Sequence, residues 1–210
     1  MSRAAALKQG YTRGARKIAS RSMVSLARTR VTPNALTFSG VLLCAAGSVL
    51  VYFEYRDELL FYWAGALVFV VGSVLDILDG ALARAGGKTT PFGAFLDSTT
   101  DRVSEGFMLT AIAYVLATHH HPVFVAVAMA AVAGSFLVSY TRAKAEAIGL
   151  RGDVGIGSRA ERVVVIAAGL VLAPWGVLPW SLVLLAFTAW LTVGQRVLHV
   201  RKQLMEATNE

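Results

Sequence analysis

Long apolar stretches separated by short polar breaks run along most of this chain. A helix needs about 20 apolar residues to cross the roughly 30 Å of hydrocarbon in a bilayer. Six stretches meet or approach that length, and they cover residues 35–54, 60–82, 99–118, 122–147, 161–178 and 180–199. The pattern predicts six membrane-spanning helices.

The breaks between these stretches hold residues that end helices or form turns. They lie at 57–58, 86–88, 119–122, 149–158 and 174–179, and they are rich in glycine, proline and polar residues. Such residues favour turns because they disfavour the helical backbone or compete for its hydrogen bonds. We therefore expect each apolar stretch to form a separate helix.

The first 30 residues follow a different pattern, in which apolar positions recur at helical spacing among basic ones. Leu7, Tyr11, Ile18 and Leu26 keep this spacing, while the cations mostly occupy the other faces. Such a segment suits a membrane surface, with its apolar face in lipid and its cations near anionic headgroups. We predict an interfacial amphipathic helix here. A disordered basic tail that only fixes the topology is the alternative.

The composition of the chain agrees with a location in the membrane. Of the 210 residues, 56% are hydrophobic, and the mean hydropathy of +0.59 exceeds that of ordinary soluble domains. The single cysteine, Cys44, excludes a disulfide within the chain. We expect an all-α integral membrane protein, with an interfacial helix at 1–30, a six-helix membrane domain at 31–203 and a cytoplasmic tail at 204–210.

The cations fall almost entirely on one side of the predicted membrane helices. Of the 20 Lys and Arg residues, only Arg56 lies in a loop on the opposite side. Loops rich in Lys and Arg stay in the cytoplasm. We therefore expect a multi-pass protein of the cell membrane with both termini in the cytoplasm. The net charge of +7 follows from this topology, so it gives no reason to expect a nucleic-acid partner.

Four aspartates stand at the cytoplasmic ends of two neighbouring predicted helices. Asp76 and Asp79 end the second stretch, and Asp97 and Asp101 begin the third. Separations of three and four residues put each pair on one helix face, so all four carboxylates can point at a common centre. Unpaired, they would repel one another. Divalent cations that prefer oxygen ligands, such as magnesium, manganese or calcium, resolve this conflict.

Two other interpretations of the acids remain open on these residues alone. The carboxylates can be solvated helix-end groups paired with Arg84 and Arg102, or they can line a path for ions across the membrane. Their clustering at one end counts against an ion path, because the other stretches are almost free of polar residues. A noncatalytic membrane channel or scaffold remains the alternative from another functional class.

The residues between the two acidic pairs suit a nucleotide diphosphate. Gly80 and Ala83 are small enough to let a base or ribose lie against the helix. Arg84 can neutralise a diphosphate together with metal ions. Taken alone, the glycines are explained equally well by helix packing and turns.

The acids and their neighbours resemble the signature of the CDP-alcohol phosphotransferase family, and every fixed position matches. The matching stretch reads Asp76-x2-Asp79-Gly80-x2-Ala83-Arg84-x8-Gly93-x3-Asp97-x3-Asp101. The resemblance covers nearly the whole chain and implies a six-helix bundle, an N-terminal interfacial helix and a homodimer. It also implies transfer of a phosphatidyl group from CDP-diacylglycerol to a small polar alcohol, with release of CMP at a cytoplasmic active site.

The resemblance implies roles for individual residues as well. Asp76, Asp79 and Asp97 would hold two Mg²⁺ ions, with Mn²⁺ as a possible substitute. Asp101 would bind the second ion and act as the general base. The residues that would contact the CDP-lipid are Asn34, Ala35, Leu36, Thr37, Gly80, Arg84 and Thr90.

The later part of the chain carries more cations near the cytoplasm than the topology requires. They are Arg142, Lys144, Arg159, Arg162 and Arg196. Guanidinium groups suit phosphate because they donate in a planar fork, so this set can bind an acceptor that carries a phosphate. The alternative is that they are ordinary cytoplasmic cations paired with Glu146 and Glu161.

Three short motifs resemble actinobacterial family members that make phosphatidylinositol phosphate. They are Ser-Tyr-x-Arg-Ala-Lys-Ala-Glu, which begins at Ser139, and the later Arg-x-Glu-Arg and Gln-Arg. This resemblance implies inositol 1-phosphate as the acceptor. It puts Ser139, Arg142, Arg162 and Arg196 around the acceptor phosphate. Glycerol 3-phosphate, the acceptor of phosphatidylglycerophosphate synthases, is the nearest alternative because it also carries a phosphate.

Overall fold

The computed structural model of the protein describes residues 33–85, 87 and 89–208. These residues form α-helices and connecting turns, with no β-strand among them. The helices are α1 (Pro33–Tyr52), α2 (Glu58–Ala85), α3 (Pro91–Thr118), α4 (Pro122–Ala147), α5 (Arg159–Val171) and α6 (Leu178–Thr208). The predicted all-α fold class is confirmed. The interfacial helix predicted at 1–30 lies outside the described residues.

Four of these helices are long and apolar enough to cross a membrane. The candidate spans are Asn34–Arg56, Glu58–Arg84, Pro122–Ala147 and Leu178–Ala207, in α1, α2, α4 and α6. Helix α3 has 28 residues but carries several charges in its first half. Helix α5 has 13 residues, or about 20 Å at 1.5 Å per residue. The chain is therefore a membrane protein, and the number of its crossings stays a prediction.

The breaks in the apolar pattern are the ends of helices in the structure. The Thr90 hydroxyl accepts a hydrogen bond of 2.9 Å from the Gly93 N–H and caps α3. Ser158 and Glu161 form a capping box that starts α5. These caps satisfy N–H groups that have no partner inside the helix. The fifth stretch differs from its predicted length, because its helix ends at Val171, before Pro174, which cannot continue the helical hydrogen bonding.

Helices α1 and α2 approach each other closely at two pairs of glycines. A Cβ atom added to Gly72 would lie 2.7 Å from the Gly40 carbonyl oxygen, and one added to Gly47 would lie 2.9 Å from that of Gly65. Small residues of this kind let membrane helices pack backbone against backbone. The contact brings the start of α1 beside the end of α2, so that Gly40 lies next to Asp76.

The centre of the bundle is filled with large apolar side chains, and similar side chains cover its outside. The fully buried residues include Phe69, Met108, Leu109, Ile112, Ile166, Leu170, Leu182 and Leu185. Exposed apolar residues include Phe38, Leu42, Leu67, Trp180 and Phe187. Apolar residues on all faces of a helix are expected where one face packs in the bundle and the other meets lipid.

We expect Gly72→Ala to destabilise the protein, because the added methyl group would meet the α1 backbone and the Cys44 side chain at less than 3 Å. Overpacking of this kind costs about 1–3 kcal/mol. The midpoint of thermal unfolding in detergent should therefore fall. Gly194→Ala is the matched control, since nothing lies within 4 Å of its added Cβ. An equal midpoint for the two variants would contradict the close α1–α2 contact.

Candidate active site

Three aspartate side chains converge where the end of α2 meets the beginning of α3. One carboxylate oxygen from each of Asp76, Asp97 and Asp101 lies within 4.8 Å of the other two. Asp76 is only 2% exposed, and its Oδ1 accepts no hydrogen bond from the part of the chain that the structure describes. Burying a carboxylate oxygen without a donor is costly unless a cation compensates for the lost water.

This set of donors fits a divalent cation. All three residues offer carboxylate oxygens, the ligands that Mg²⁺, Mn²⁺ and Ca²⁺ prefer in proteins. The buried Oδ1 of Asp76 accepts no hydrogen bond from the described residues, and a cation can satisfy it. The geometry therefore agrees with the sequence in favouring a divalent metal between α2 and α3.

Asp79, the fourth predicted ligand, is not part of this trio. It lies one turn after Asp76 and is 3% exposed, and its Oδ2 accepts a hydrogen bond from the Thr37 hydroxyl of α1. Asn34, Ala35 and Leu36 occupy the turn of α1 that precedes Thr37. The structure thus brings Thr37 into contact with Asp79, and the other three predicted CDP-binding residues of α1 directly precede it in the same turn.

The remaining predicted CDP-binding residues flank the connection between α2 and α3. The Arg84 guanidinium lies over Gly80, since a Cβ atom added to Gly80 would be 3.3 Å from Arg84 Nη1. The Thr90 hydroxyl is used as the cap of α3. Thr90 therefore sets the direction in which α3 starts, and with it the position of Asp97 two turns later.

One arginine reaches the acids directly. Nη1 of Arg159, the first residue of α5, forms ion pairs with Asp76 Oδ2 and Asp101 Oδ1. The sequence indicated an excess of cations in this region but not which of them meets the aspartates. That choice depends on how the start of α5 packs against α2 and α3, and the sequence pattern does not contain this packing.

The cluster opens into a cavity of about 1200 Å³. Its lining includes Asp97, Asp101, Ser139, Arg142, Arg159, Arg162 and Arg196. Two of the three clustered acids and all four predicted acceptor residues therefore share one cavity. Lys144, another cation that the sequence places near the cytoplasm, is exposed and does not line the cavity.

Arg162 is held inside the bundle by Glu105, a residue that the sequence pattern did not single out. Glu105 lies one turn after Asp101 on α3, and its two oxygens accept hydrogen bonds of 2.9 Å from Arg162 Nε and Nη2. Arg162 Nη1 donates to the Gly157 carbonyl oxygen at 2.9 Å. The available signal was the spacing, because Asp97, Asp101 and Glu105 repeat every four residues along one helix face.

The other predicted acceptor residues differ in their surroundings. Arg196 donates from Nε to the Val154 carbonyl oxygen at 2.9 Å and from Nη1 to that of Val138. Arg142 is exposed and forms a surface pair with Glu146 at 2.9 Å. Surface pairs of this kind restrain a side chain weakly. Arg196 is therefore fixed in the cavity wall, whereas Arg142 can change partners easily.

The wall that Arg162 and Arg196 hold is the segment 153–158 between α4 and α5. Gly155 and Gly157 adopt positive φ angles of 116° and 136°, a conformation that residues with a side chain rarely adopt. The backbone N–H groups of Gly157 and Ser158 donate to Glu161 Oε2 at 3.0 and 2.6 Å. The segment is thus fixed by helices α5 and α6 at the edge of the cavity.

Comparison with known proteins agrees with this arrangement. The sequence pattern of the CDP-alcohol phosphatidyltransferases matches residues 30–204. Over 181 residues the chain is 35% identical to the archaetidylinositol phosphate synthase of Pyrococcus horikoshii, with 86% of this chain and 89% of the relative covered. It is 38% identical over 181 residues to the phosphatidylinositol phosphate synthase of Mycolicibacterium smegmatis, with 83% and 79% covered.

Two similar crystal structures are of the Mycobacterium tuberculosis phosphatidylinositol phosphate synthase. The structure with CDP-DAG bound has a TM-score of 0.77 and 31% identity, and the match covers 88% of this chain and 94% of that one. The complex with manganese and citrate has a TM-score of 0.77 and 33% identity, with 87% and 88% covered. The helical bundle, the acidic cluster and these matches together show that this chain is an enzyme of the CDP-alcohol phosphatidyltransferase family.

Proposed function

We propose that this enzyme transfers the phosphatidyl group of CDP-diacylglycerol to inositol 1-phosphate and releases CMP. The observation that carries the proposal is the shared cavity, in which Asp97 and Asp101 face a set of arginines. Clustered carboxylates suit metal-assisted chemistry on a diphosphate. Arginines suit an acceptor that brings a phosphate of its own.

The relatives support both substrates. The M. tuberculosis synthase has been crystallised with CDP-DAG bound, which favours the same donor here. The names of the two relatives share inositol phosphate and differ in the lipid part, archaetidyl in one and phosphatidyl in the other. Inositol phosphate is therefore the better supported acceptor, and glycerol 3-phosphate is the alternative to test against it.

The proposed ligands of two divalent ions are Asp76, Asp79, Asp97 and Asp101. Mg²⁺ is the proposed ion, and Mn²⁺ is a substitute supported by the manganese complex of the similar synthase. The converging trio supports the same assignment, as does the oxygen of Asp76 that has no hydrogen-bond donor among the described residues. When bound, such ions neutralise the donor diphosphate and the charge that develops on the departing CMP.

Asp101 is the proposed general base, and its membership of both the acidic cluster and the cavity lining supports this role. An acceptor hydroxyl oxygen bonds to the phosphorus that carries the diacylglycerol. The bond from that phosphorus to the CMP oxygen breaks, and the hydroxyl proton passes to Asp101. Arg159 contacts Asp101 Oδ1, and Arg102 Nη1 lies 3.5 Å from Oδ2, so two guanidinium groups orient the carboxylate.

The CDP group is proposed to lie along the end of α2 and the start of α1. Gly80 leaves room for the base or ribose, and Arg84, whose guanidinium lies beside Gly80, can bind a phosphate. The other proposed contacts are Asn34, Ala35, Leu36, Thr37 and Thr90. The hydrogen bond from Thr37 to Asp79 supports placing the start of α1 at the same level of the membrane as the acids.

The acceptor phosphate is proposed to bind among Ser139, Arg142, Arg162 and Arg196, which line the cavity. Arg159 is added to this set because it contacts two of the aspartates and lines the same cavity. It lies between the acids that would bind the metals and the cations that would bind the acceptor. An arginine in this position can hold the acceptor close to the donor phosphorus.

We also propose an arrangement in the membrane. Residues 31–203 form the membrane domain, 1–30 lie on the cytoplasmic surface and 204–210 form a cytoplasmic tail. Both termini and the active site face the cytoplasm, because all but one of the 20 Lys and Arg residues belong to that side in the predicted topology. A homodimer is proposed from the resemblance to the family.

We expect Asp101→Asn to lower the rate of CMP release by at least about 100-fold, because an amide cannot take the acceptor proton. The change preserves the shape of the side chain, so the protein should fold and bind CDP-diacylglycerol. Initial rates in detergent at saturating substrates, together with a donor binding assay, measure both effects. Asp57→Asn is the matched control, because Asp57 is exposed and caps α2 through the Leu60 N–H, which asparagine can also do. Full turnover by Asp101→Asn would remove the assigned base.

We expect the wild-type enzyme to prefer inositol 1-phosphate over inositol and glycerol 3-phosphate by at least about tenfold in kcat/KM. Inositol has no phosphate for the arginine N–H groups to bind, and glycerol 3-phosphate holds its phosphate at a different distance from the attacking hydroxyl. CMP release with CDP-diacylglycerol and Mg²⁺ measures this preference. EDTA should abolish turnover, and added Mn²⁺ should restore it. A preference for glycerol 3-phosphate would replace the acceptor but keep the acidic site, whereas turnover that survives EDTA would contradict the metal site.

A further inference from the structure

Among the described residues, Glu105 and Arg162 form the most completely buried ion pair, and Arg162 lines the cavity. Their side chains are 6% and 7% exposed, and the two hydrogen bonds between them are both 2.9 Å long. A buried pair of charges gains little net stability compared with apolar residues, because both groups lose their water. The pair therefore calls for an explanation beyond stability.

The geometry of the pair leaves part of the arginine available to a ligand. A guanidinium group has five N–H bonds. Glu105 takes one from Nε and one from Nη2, and the Gly157 carbonyl oxygen takes one from Nη1. Within the described residues this leaves one N–H on each terminal nitrogen of Arg162, which lines the cavity. Two neighbouring N–H groups of this kind match two oxygens of a phosphate.

The same contacts tie the arginine to the rest of the site. Glu105 lies one helical turn after Asp101, so the pair links Arg162 to the helix that carries the proposed base. The bond to Gly157 links it to the wall segment 153–158. Arg196 and Thr192 of α6 hold the same segment through the carbonyl oxygens of Val154 and Ile156. A shift of Glu105 would therefore be passed on to the arginine and the wall together.

We propose that Glu105 is a positioning residue that holds the Arg162 guanidinium so that its two remaining N–H groups face the acceptor phosphate. This inference rests on the proposed function, because it requires an acceptor that carries a phosphate. Glu105 does not touch the substrate. Glu105 and Asp101 both belong to α3, so Glu105 fixes the distance between the bound phosphate and Asp101.

The first test is Glu105→Asp, which keeps the charge but draws the carboxylate back by one methylene group. Displacements of about 1 Å in a substrate-binding group change catalytic efficiency by up to about 100-fold. We expect the KM for the phosphorylated acceptor to rise by about tenfold while the KM for CDP-diacylglycerol stays within about twofold. The inhibition constant of inorganic phosphate, a probe that does not depend on the identity of the alcohol, should rise with the acceptor KM.

Glu105→Gln separates position from charge. Removing the negative charge would by itself make the cavity more attractive to phosphate and lower the acceptor KM. The glutamine NH₂ group faces a guanidinium N–H, so the pair cannot keep its present geometry, and the positioning role predicts a higher KM instead. Arg162→Lys keeps a cation but lacks the planar fork and has three N–H donors where arginine has five. It should therefore raise the acceptor KM in the same way.

Glu206→Gln is the control, because Glu206 is exposed and pairs with Lys202 one turn away on α6. It should leave all constants unchanged. Thermal unfolding of each variant in detergent reports any general damage. A lower unfolding midpoint with unchanged acceptor and phosphate constants would reduce Glu105 to a structural role and overturn the proposal. So would equal changes in the KM values of donor and acceptor, or a lower acceptor KM in Glu105→Gln.

The two proposals fail in different measurements. The wild-type enzyme alone decides the proposed acceptor, through its preference among inositol 1-phosphate, inositol and glycerol 3-phosphate. The ratio of variant to wild type decides the role of Glu105, with whichever phosphorylated acceptor the wild type uses. Suppose the wild type prefers glycerol 3-phosphate and Glu105→Asp raises its KM about tenfold. That result would support the positioning role of Glu105 and reject inositol 1-phosphate as the acceptor.

Discussion

Charge that is buried in an apolar bundle must find a partner, and this constraint organises the site. Asp76 and Glu105 would be costly inside the protein as isolated charges. Arg159 meets Asp76 and Asp101, and Arg162 meets Glu105. Both arginines come from the first turn of α5, so the need to pair these acids fixes the start of that helix against α2 and α3. The proposed site for donor and acceptor is thereby assembled from α2, α3 and α5, the last of which is distant from the other two in sequence.

Close helix packing contributes a second requirement for the same site. The glycine pairs between α1 and α2 allow their backbones to touch, and this contact brings Thr37 to Asp79. A bulkier interface would hold α1 farther from the acids, and the hydrogen bond could not form. Packing in the apolar part of the bundle therefore determines the geometry of the polar end, although no residue of the glycine contact carries chemistry.

The two halves of the site are built in different ways. The acids lie on two helices that are consecutive in the chain, and helix periodicity sets the spacing within each pair. Apart from α3, which also carries Asp97 and Asp101, the cavity wall comes from the second half of α4, the segment 153–158, the start of α5 and the middle of α6. Its geometry depends on hydrogen bonds between these parts, such as those of Arg196 and Arg162 to the wall carbonyl groups. Changes in this wall can therefore alter the proposed acceptor site without disturbing the acids that are proposed to bind metal.

The sequence by itself determined the helical class, the positions of most helix ends and the pairing of Asp76 with Asp97 and Asp101, because apolar length and the spacing of three and four residues follow from helix geometry. It did not determine the shorter α5, the contact of Arg159 with the acids or the partnership of Glu105 with Arg162. The shorter α5 follows from Pro174, which the apolar pattern does not take into account. The two contacts depend on which helices meet, and Glu105 and Arg162 are separated by 57 residues. Periodicity describes one helix at a time, whereas only the tertiary structure decides which buried charges face each other.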